Sequence, residues 1–188
     1  LMDWFIQGQE STITAKNAAA LQQKIHQLHS GTIILDPTDE TEKGESLVLD
    51  TSKARLIAKK WPTEKLVIFY QYKAELQAIQ QVLGDRVVTT LDKFNVGRKS
   101  IALQIVSGRE GINLSAGDLI VFYNISFSAT SYFQARDRLT TKTRLESNIY
   151  WLFTEGGIEK KIYKAVMGKK NYTLQHFRKE YGVKTCKK

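Results

Sequence analysis

Gln134 and Arg138 are the side chains of this sequence best suited to handling a phosphate. They lie four residues apart in Gln134-Ala-Arg-Asp-Arg-Leu-Thr-Thr-Lys-Thr-Arg144, and on a helix that spacing places both on one face. A guanidinium is planar, stays charged and can grip two phosphate oxygens at once. The competing reading is a surface helix whose arginines only solvate it. Upstream lie a Gly-rich segment, Ser107-Gly-Arg-Glu-Gly-Ile-Asn-Leu-Ser-Ala-Gly117, and the apolar run Leu119–Tyr123. The order strand, polar turn, strand, helix is one that aims a guanidinium at an anion.

The elements that must position these residues read as α/β. Residues 15–30 form an amphipathic helix with Ala18, Leu21, Ile25 and Leu28 on one stripe, stopped by Gly31. Short strands follow at Thr32–Leu35 and Leu47–Leu49. Between them the acidic, turn-rich stretch Asp36–Ser46 reads as an exposed loop. A helix over Ser52–Lys60 precedes the apolar strand Lys65–Tyr70, and a helix over Ala74–Leu83 follows it. The pieces Val87–Thr90 and Leu91–Phe94 lead to the strand Ile101–Val106. Then come Leu119–Tyr123, a helix over Thr130–Leu139 and a strand over Asn148–Phe153. Uninterrupted apolar runs indicate strands covered on both faces. Alternation with helices indicates a mostly parallel sheet, whose ligands gather at the carboxyl ends of the strands. The turns at 107–113 and 124–129 are expected at that edge. Ile158–Met167 and Tyr172–Tyr181 read as closing helices. The expected organisation is an entry helix and hairpin over 1–50, the α/β lobe over 51–155 and a basic helical extension over 156–188.

Composition narrows the function classes. The 188 residues are 42% hydrophobic and carry a net charge of +9, as expected of one folded domain. No apolar run approaches the roughly 20 residues that span a bilayer, and the first residues do not have the pattern of a signal peptide. Cys186 is the only cysteine and there are three histidines, so no disulfide and no metal-ligand cluster is expected, and a reducing cytoplasm is the expected compartment. His26, His29 and His176 read as surface or half-buried helix residues. From Gly156 to Lys188 ten basic residues stand against two acidic ones, so this segment carries +8 of the charge. Such an end can bind phosphate backbones by counterion release or can simply keep a helical appendage in solution.

The Leu-Val-Ile-Phe-Tyr strand, the Ser-Gly-x-x-Gly-x-Asn-Leu turn, the Gln-Ala-x-x-Arg helix and the Leu-Phe-Thr-Glu-Gly-Gly-Ile-Glu-Lys-Lys-Ile close occur here in that order. Together they resemble the C-terminal lobe of Swi/Snf-type DNA-dependent ATPases, in helicase superfamily two. The flavour is nearest the compact versions of bacteriophages and prophages. The resemblance covers about residues 15–167, taking in Lys24–Leu28, Gly31 and the helix carrying Lys53. It implies a three-layer RecA-like domain with a small N-terminal helix and hairpin and a C-terminal helical appendage. It further implies ATP and Mg2+ in a two-lobed parent, neither held tightly by this lobe alone. The implied partners are DNA, double-stranded in the first reading, and an N-terminal RecA-like lobe. No membrane partner is expected.

Residue by residue, the resemblance makes Arg138 an arginine finger on the γ-phosphate, with Gln134 and Gly111 beside the nucleotide. The family's second arginine falls at Thr141, so Arg144 is the candidate substitute if the loop bends, or Arg136 if the register slips. Ser107, Gly108, Arg109 and Asn113 match the turn that touches the nucleic-acid backbone, where glycines permit close approach. Tyr72 and Lys73 are candidates for a second backbone contact, against simple aromatic packing at a strand end. No Gly-Lys-Ser or Gly-Lys-Thr phosphate loop occurs, so the chain by itself is expected to be inactive, one lobe of a two-lobed enzyme. The rival readings are a non-catalytic DNA-binding module and a strand-separating helicase.

Overall fold

Leu66, Val67, Ile68 and Phe69 are all fully buried, although they point alternately to opposite faces of their strand. That is possible only where helices cover both faces of a sheet. A computed structural model describes residues 4–5, 12–13, 15–35, 44–105, 112–139 and 148–182 and contains that arrangement. Five strands, β5 (Leu66–Tyr70), β6 (Val87–Val88), β7 (Ser100–Gln104), β8 (Leu119–Phe122) and β9 (Asn148–Trp151), form a sheet in the order β6-β7-β5-β8-β9. Every pairing in it is parallel.

The pleat sorts the core into two layers. Val67, Phe69, Ile101, Ile120 and Phe122 face one side, where they meet Ile25 of α1 (Ala18–His29), Phe94 of α4 (Leu91–Val96) and Tyr132 of α5 (Ala129–Arg136). The same layer takes Ile162 and Val166 of α6 (Glu159–Met167) and Phe177 of α7 (Leu174–Tyr181). Leu66, Ile68, Tyr70, Val121 and Tyr123 face the other side, against Ala54 and Ile57 of α2 (Ser52–Lys60) and Ile79 and Leu83 of α3 (Lys73–Leu83). The three-layer α/β expectation is therefore met. The two helices beyond residue 155 share the sheet's core, α6 through Ile162 and Val166 and α7 through Phe177.

The helix boundaries follow local chemistry. Asn17 accepts from the Ala20 N–H at 2.9 Å and opens α1. Gly31 closes it at φ 81°, and its carbonyl accepts from Leu49 and Asp50 at 2.8 and 3.0 Å. These bonds tie the helix to the antiparallel hairpin of β3 (Thr32–Ile34) and β4 (Ser46–Val48). A Cβ on Gly31 would stand 2.6 Å from the Asp50 carbonyl oxygen. Gly31→Ala is expected to cost about 1–3 kcal/mol through strain at this left-handed position, readable in a denaturant titration. Two further short strands, β1 (Trp4–Phe5) and β2 (Thr12–Ile13), pair antiparallel; no sequence pattern pointed to them.

Two expectations need correction. The stripe expected to be the buried side of α1 is only half-buried at Ala18, Leu21 and Leu28, whereas Gln22, Lys24, His26 and Gln27 are buried. The reason is polar: the Lys24 ammonium donates to the Ile34 carbonyl at 2.6 Å, and the Gln27 carboxamide accepts from the Ile34 N–H at 2.9 Å. The helix expected to run to Leu139 is α-helical only to Arg136, and residues Asp137–Leu139 tighten into a 3-10 turn. No helix among the described residues is long and apolar enough to cross a membrane.

Candidate functional site

The chain leaves β5 through α3 toward β6 on one side, and leaves β8 through α5 toward β9 on the other. The order of strands therefore reverses between β5 and β8, the place where open α/β sheets bind ligands. At the carboxyl ends of these strands lie Gln71, Tyr72, Tyr123 and Asn124. They belong to a buried polar network that joins four helices to the sheet edge.

Glu75 is its centre. One carboxylate oxygen accepts from the Gln71 and Tyr72 N–H groups at 2.7 and 3.0 Å, capping α3, and the other accepts from the Asn124 carboxamide at 2.6 Å. Asn124 in turn accepts from the Ile125 N–H at 2.8 Å. Burial pushes the Glu75 carboxyl up, while hydrogen bonds from Ser30, Tyr72, Asn124 and Gln71 oppose that shift. Lys53 at the start of α2 pairs with Glu159 at the start of α6 at 2.8 Å, and its ammonium lies 3.4 Å from the Tyr123 carbonyl. Glu159 is fully buried, and a Cβ at Gly157 would overlap its free oxygen, so the close of β9 needs glycine there.

His26, expected at the surface or half-buried, is fully buried. Tyr72 donates to the Gln23 carboxamide oxygen at 2.9 Å and lies 2.8 Å from His26 Nδ1. A hydroxyl has one proton and that oxygen can only accept, so His26 Nδ1 carries its own hydrogen toward Tyr72. Nε2 is then a bare, buried acceptor, and it has no hydrogen-bond partner. Burial first, then the Lys53 charge, lowers the His26 pKa to about 3.

The sign of this shift makes stability pH-dependent. Between pH 6.5 and about 3 the unfolded chain protonates this imidazole and the folded one does not. The contribution is complete above pH 6.5 and is lost as pH falls, by a few kcal/mol in all. Glu75, whose pKa is raised in the fold chiefly by burial, contributes with the opposite sign. His26→Gln should therefore show a shallower acid loss of unfolding free energy than wild type; parallel curves from pH 7 to 4 would reject the assignment.

The candidate residues fall in three groups. Gln134 is exposed near the end of α5, and Arg138 is half-buried in the 3-10 turn beyond it. The two do not share one continuous α-helix, so the four-residue stacking argument does not describe their relation. Arg136 bonds Asp137 at 2.8 Å and lies 4.6 Å from the Phe133 ring centroid. Asn113 is exposed, and its side chain accepts from the Ser115 N–H at 2.9 Å in the turn leading to β8. Lys73 is exposed at the first residue of α3, while the Tyr72 hydroxyl is engaged by Gln23 and His26. Ser107, Gly108, Arg109, Gly111, Thr141 and Arg144 lie outside the described residues, as do Cys186 and the acidic stretch 36–43.

The network residues Glu75, Asn124, Lys53 and Glu159 were not singled out from sequence. A partial signal existed only for Glu75, which stands three residues after the cap of its helix. His29 is half-buried as expected and accepts from the Ile158 N–H at 3.0 Å, and His176 caps α7 through Thr173.

No family model matches the chain. It is 28% identical over 168 residues to DNA repair and recombination protein RAD54B of Homo sapiens, covering 76% of this chain and 18% of that protein. It is 31% identical over 110 residues to chromatin-remodeling ATPase INO80 of Cryptococcus neoformans, covering 57% of this chain and 6% of that protein. It is 29% identical over 137 residues to ATP-dependent helicase fft1 of Schizosaccharomyces pombe, covering 61% and 14%. A solved structure of the C-terminal part of the Fun30 ATPase domain aligns at a TM-score of 0.49 and 24% identity, over 69% of this chain and 47% of that one. These relatives are Swi/Snf-family ATPases. The chain spans less than a fifth of the length of each of the three curated proteins. All three are eukaryotic, and they lend no support to the phage-like flavour of the resemblance.

Proposed function

We propose that this chain is the C-terminal lobe of a Swi/Snf-type, DNA-dependent ATPase that translocates on duplex DNA, and that it completes an ATP site shared with an N-terminal lobe. The observation that carries the reading is sequence similarity to such ATPases along 168 residues. The all-parallel sheet with helices on both faces agrees with it.

The side chains present fit one half of a nucleotide site. Among the described residues no group of three His, Cys, Asp or Glu could hold a metal ion, and the sequence has no Gly-Lys-Ser/Thr loop. A guanidinium at Arg138 and a carboxamide at Gln134 suit the side that meets the γ-phosphate, and the resemblance adds Gly111 to them. ATP with Mg2+ would supply the transferred phosphoryl group and its charge neutralisation. Arg138 would stabilise negative charge there as the two lobes close. Arg144 is the candidate for the role that Thr141 cannot fill. Ser107, Gly108, Arg109 and Asn113 would meet the DNA backbone, where amides and a guanidinium position a duplex without reading its sequence. Tyr72 is the weaker member of a second contact, since its hydroxyl is already engaged; Lys73 is exposed for it.

Mixing the purified chain with ATP and duplex DNA should give hydrolysis at background. The same chain joined to its N-terminal lobe should hydrolyse ATP in a DNA-stimulated manner. Hydrolysis by the isolated chain, or a joined protein indifferent to DNA, would reject the proposal. Thr141, standing where the resemblance has a second arginine, favours one second reading, a DNA-binding module that kept the fold without the chemistry. That reading predicts a joined protein that binds DNA and leaves ATP intact.

A further inference from the structure

We infer that α6, α7 and the turn between them form a separate surface for the phosphate backbone of duplex DNA. The inference rests on the DNA partner proposed above and adds a second place at which the chain would hold it. Residues 160–179 contain seven basic side chains, Lys160, Lys161, Lys164, Lys169, Lys170, Arg178 and Lys179, and no acidic one. The two flanking acids are both used internally. Glu159 is buried against Lys53, and Glu180 accepts from the Tyr172 hydroxyl at 2.6 Å and pairs with Lys161 at 3.6 Å. Lys160, Lys164, Lys169, Lys170 and Lys179 are exposed and form no ion pair among the described residues.

These charges are held by an ordered scaffold. Ile162, Val166, Tyr172 and Phe177 anchor both helices in the core. Lys161, paired with Glu180 and lying 4.3 Å from the Tyr181 ring centroid, joins α6 to α7. Lys160 and Lys164 are one helical turn apart on the same face. Past α6 the chain turns with Lys169 N–H bonded to Val166 at 2.9 Å and Lys170 N–H to Ala165 at 3.0 Å. Lys169 occupies the left-handed position of that closure, with φ 57°, where glycine is usual. The turn is fastened to the sheet's carboxyl side: Asn171 accepts from the Ala129 N–H at the start of α5, and the Tyr172 N–H donates to the Phe127 carbonyl, each at 2.9 Å.

Helix electrostatics alone does not account for this pattern. Cations near the end of α6 suit its dipole, but Lys160 stands unpaired in the first turn, where a positive charge is unfavourable. The surface also lacks the apolar centre of a protein interface, in which lysine is depleted. Met167 is the one large apolar residue exposed on these two helices. Lysines around a single thioether suit phosphates, which need charge without shape-matched apolar contact.

The test is the salt dependence of binding to a duplex of about 20 base pairs by the 188-residue chain, with salt varied from about 50 to 200 mM. The variant K160Q/K164Q/K169N/K170Q, with Asn at the left-handed position, should weaken binding at least tenfold at low salt. Its slope of log affinity against log salt should shrink by about 0.9 for each phosphate that is no longer neutralised. A control that removes the same charge elsewhere, K16Q/K59Q/K93Q/K99Q, should leave the slope near wild type. Melting temperature checks each variant's fold, and the pairs K160Q/K164Q and K169N/K170Q, each expected to lose part of the slope, replace the quadruple variant if it unfolds. Equal losses in variant and control, or none in either, would overturn the inference while leaving the proposed DNA partner standing. So would polyglutamate competing as well as DNA at matched charge, which would mark a site for acidic polypeptides. A wild-type chain that binds no duplex at low salt would overturn both.

Discussion

Arg138→Ala in the proposed two-lobed parent is expected to lower DNA-stimulated ATP turnover by about a thousandfold or more, with DNA affinity changed little. The asymmetry follows from the proposed role. A guanidinium that meets the γ-phosphate only as charge develops there stabilises the transition state and little else. Arg138→Lys should recover only a small part of the loss, because an ammonium keeps the charge but not the planar fork. Thr141→Arg is the informative partner variant. If turnover rises when the family's second arginine is restored, the segment works in the register assigned here. If Arg138→Ala leaves turnover unchanged, the finger lies elsewhere, with Arg144 the next candidate.

Lys53→Met should lower the unfolding free energy of the chain by about 3–5 kcal/mol at neutral pH. The cause is less the loss of an ion pair than what remains. Glu159 is fully buried, its second oxygen has no hydrogen-bond partner, and Lys53 is its cation at 2.8 Å. Removing that cation leaves a carboxylate that must either stay charged in an apolar setting or take up a proton. The double variant Lys53→Met/Glu159→Leu should regain most of the loss, since two apolar groups can replace a buried pair nearly neutrally. Urea denaturation of the two single variants and the double reads both effects. Additive losses in the double variant would mean that packing, not the uncompensated charge, sets the cost. For a domain with a total stability of about 5–15 kcal/mol, this link between α2 and α6 is a sizeable fraction.

Much of the architecture was legible because it depends on local pattern. The helix read over Ser52–Lys60 is observed with the same bounds, and the apolar run read as a strand buried on both faces became β5 at the centre of the sheet. Gly31 was legible as a helix stop because a left-handed residue there needs no partner elsewhere in the chain. Other features had no local signal. The apolar stripe of α1 misled because the burial of Lys24 and Gln27 is settled by the Ile34 backbone on a neighbouring strand. His26 looked like an ordinary helix residue until Tyr72 and Phe127 closed over it. The pair Lys53–Glu159 spans 106 positions of sequence, beyond the reach of any spacing rule.

The amino-acid sequence by itself determined the alternation of strands and helices, the burial of the central strands on both faces, the order of the segments proposed to handle phosphate and the basic character of the chain's end. Each depends on side-chain type repeated at the period of a helix or a strand. Tertiary structure decided which polar groups are withdrawn from water. It turned the switch point between β5 and β8 into a buried network of Glu75, Asn124, His26, Lys53 and Glu159. It ended α5 at Arg136, so that Arg138 stands in a tighter turn than the sequence pattern implied. The physical reason for the network is the cost of desolvation. Burying a charge or hydrogen-bonding group is costly without a matched partner, and for Lys53, Glu159 and Asn124 folding brings that partner from a distant segment.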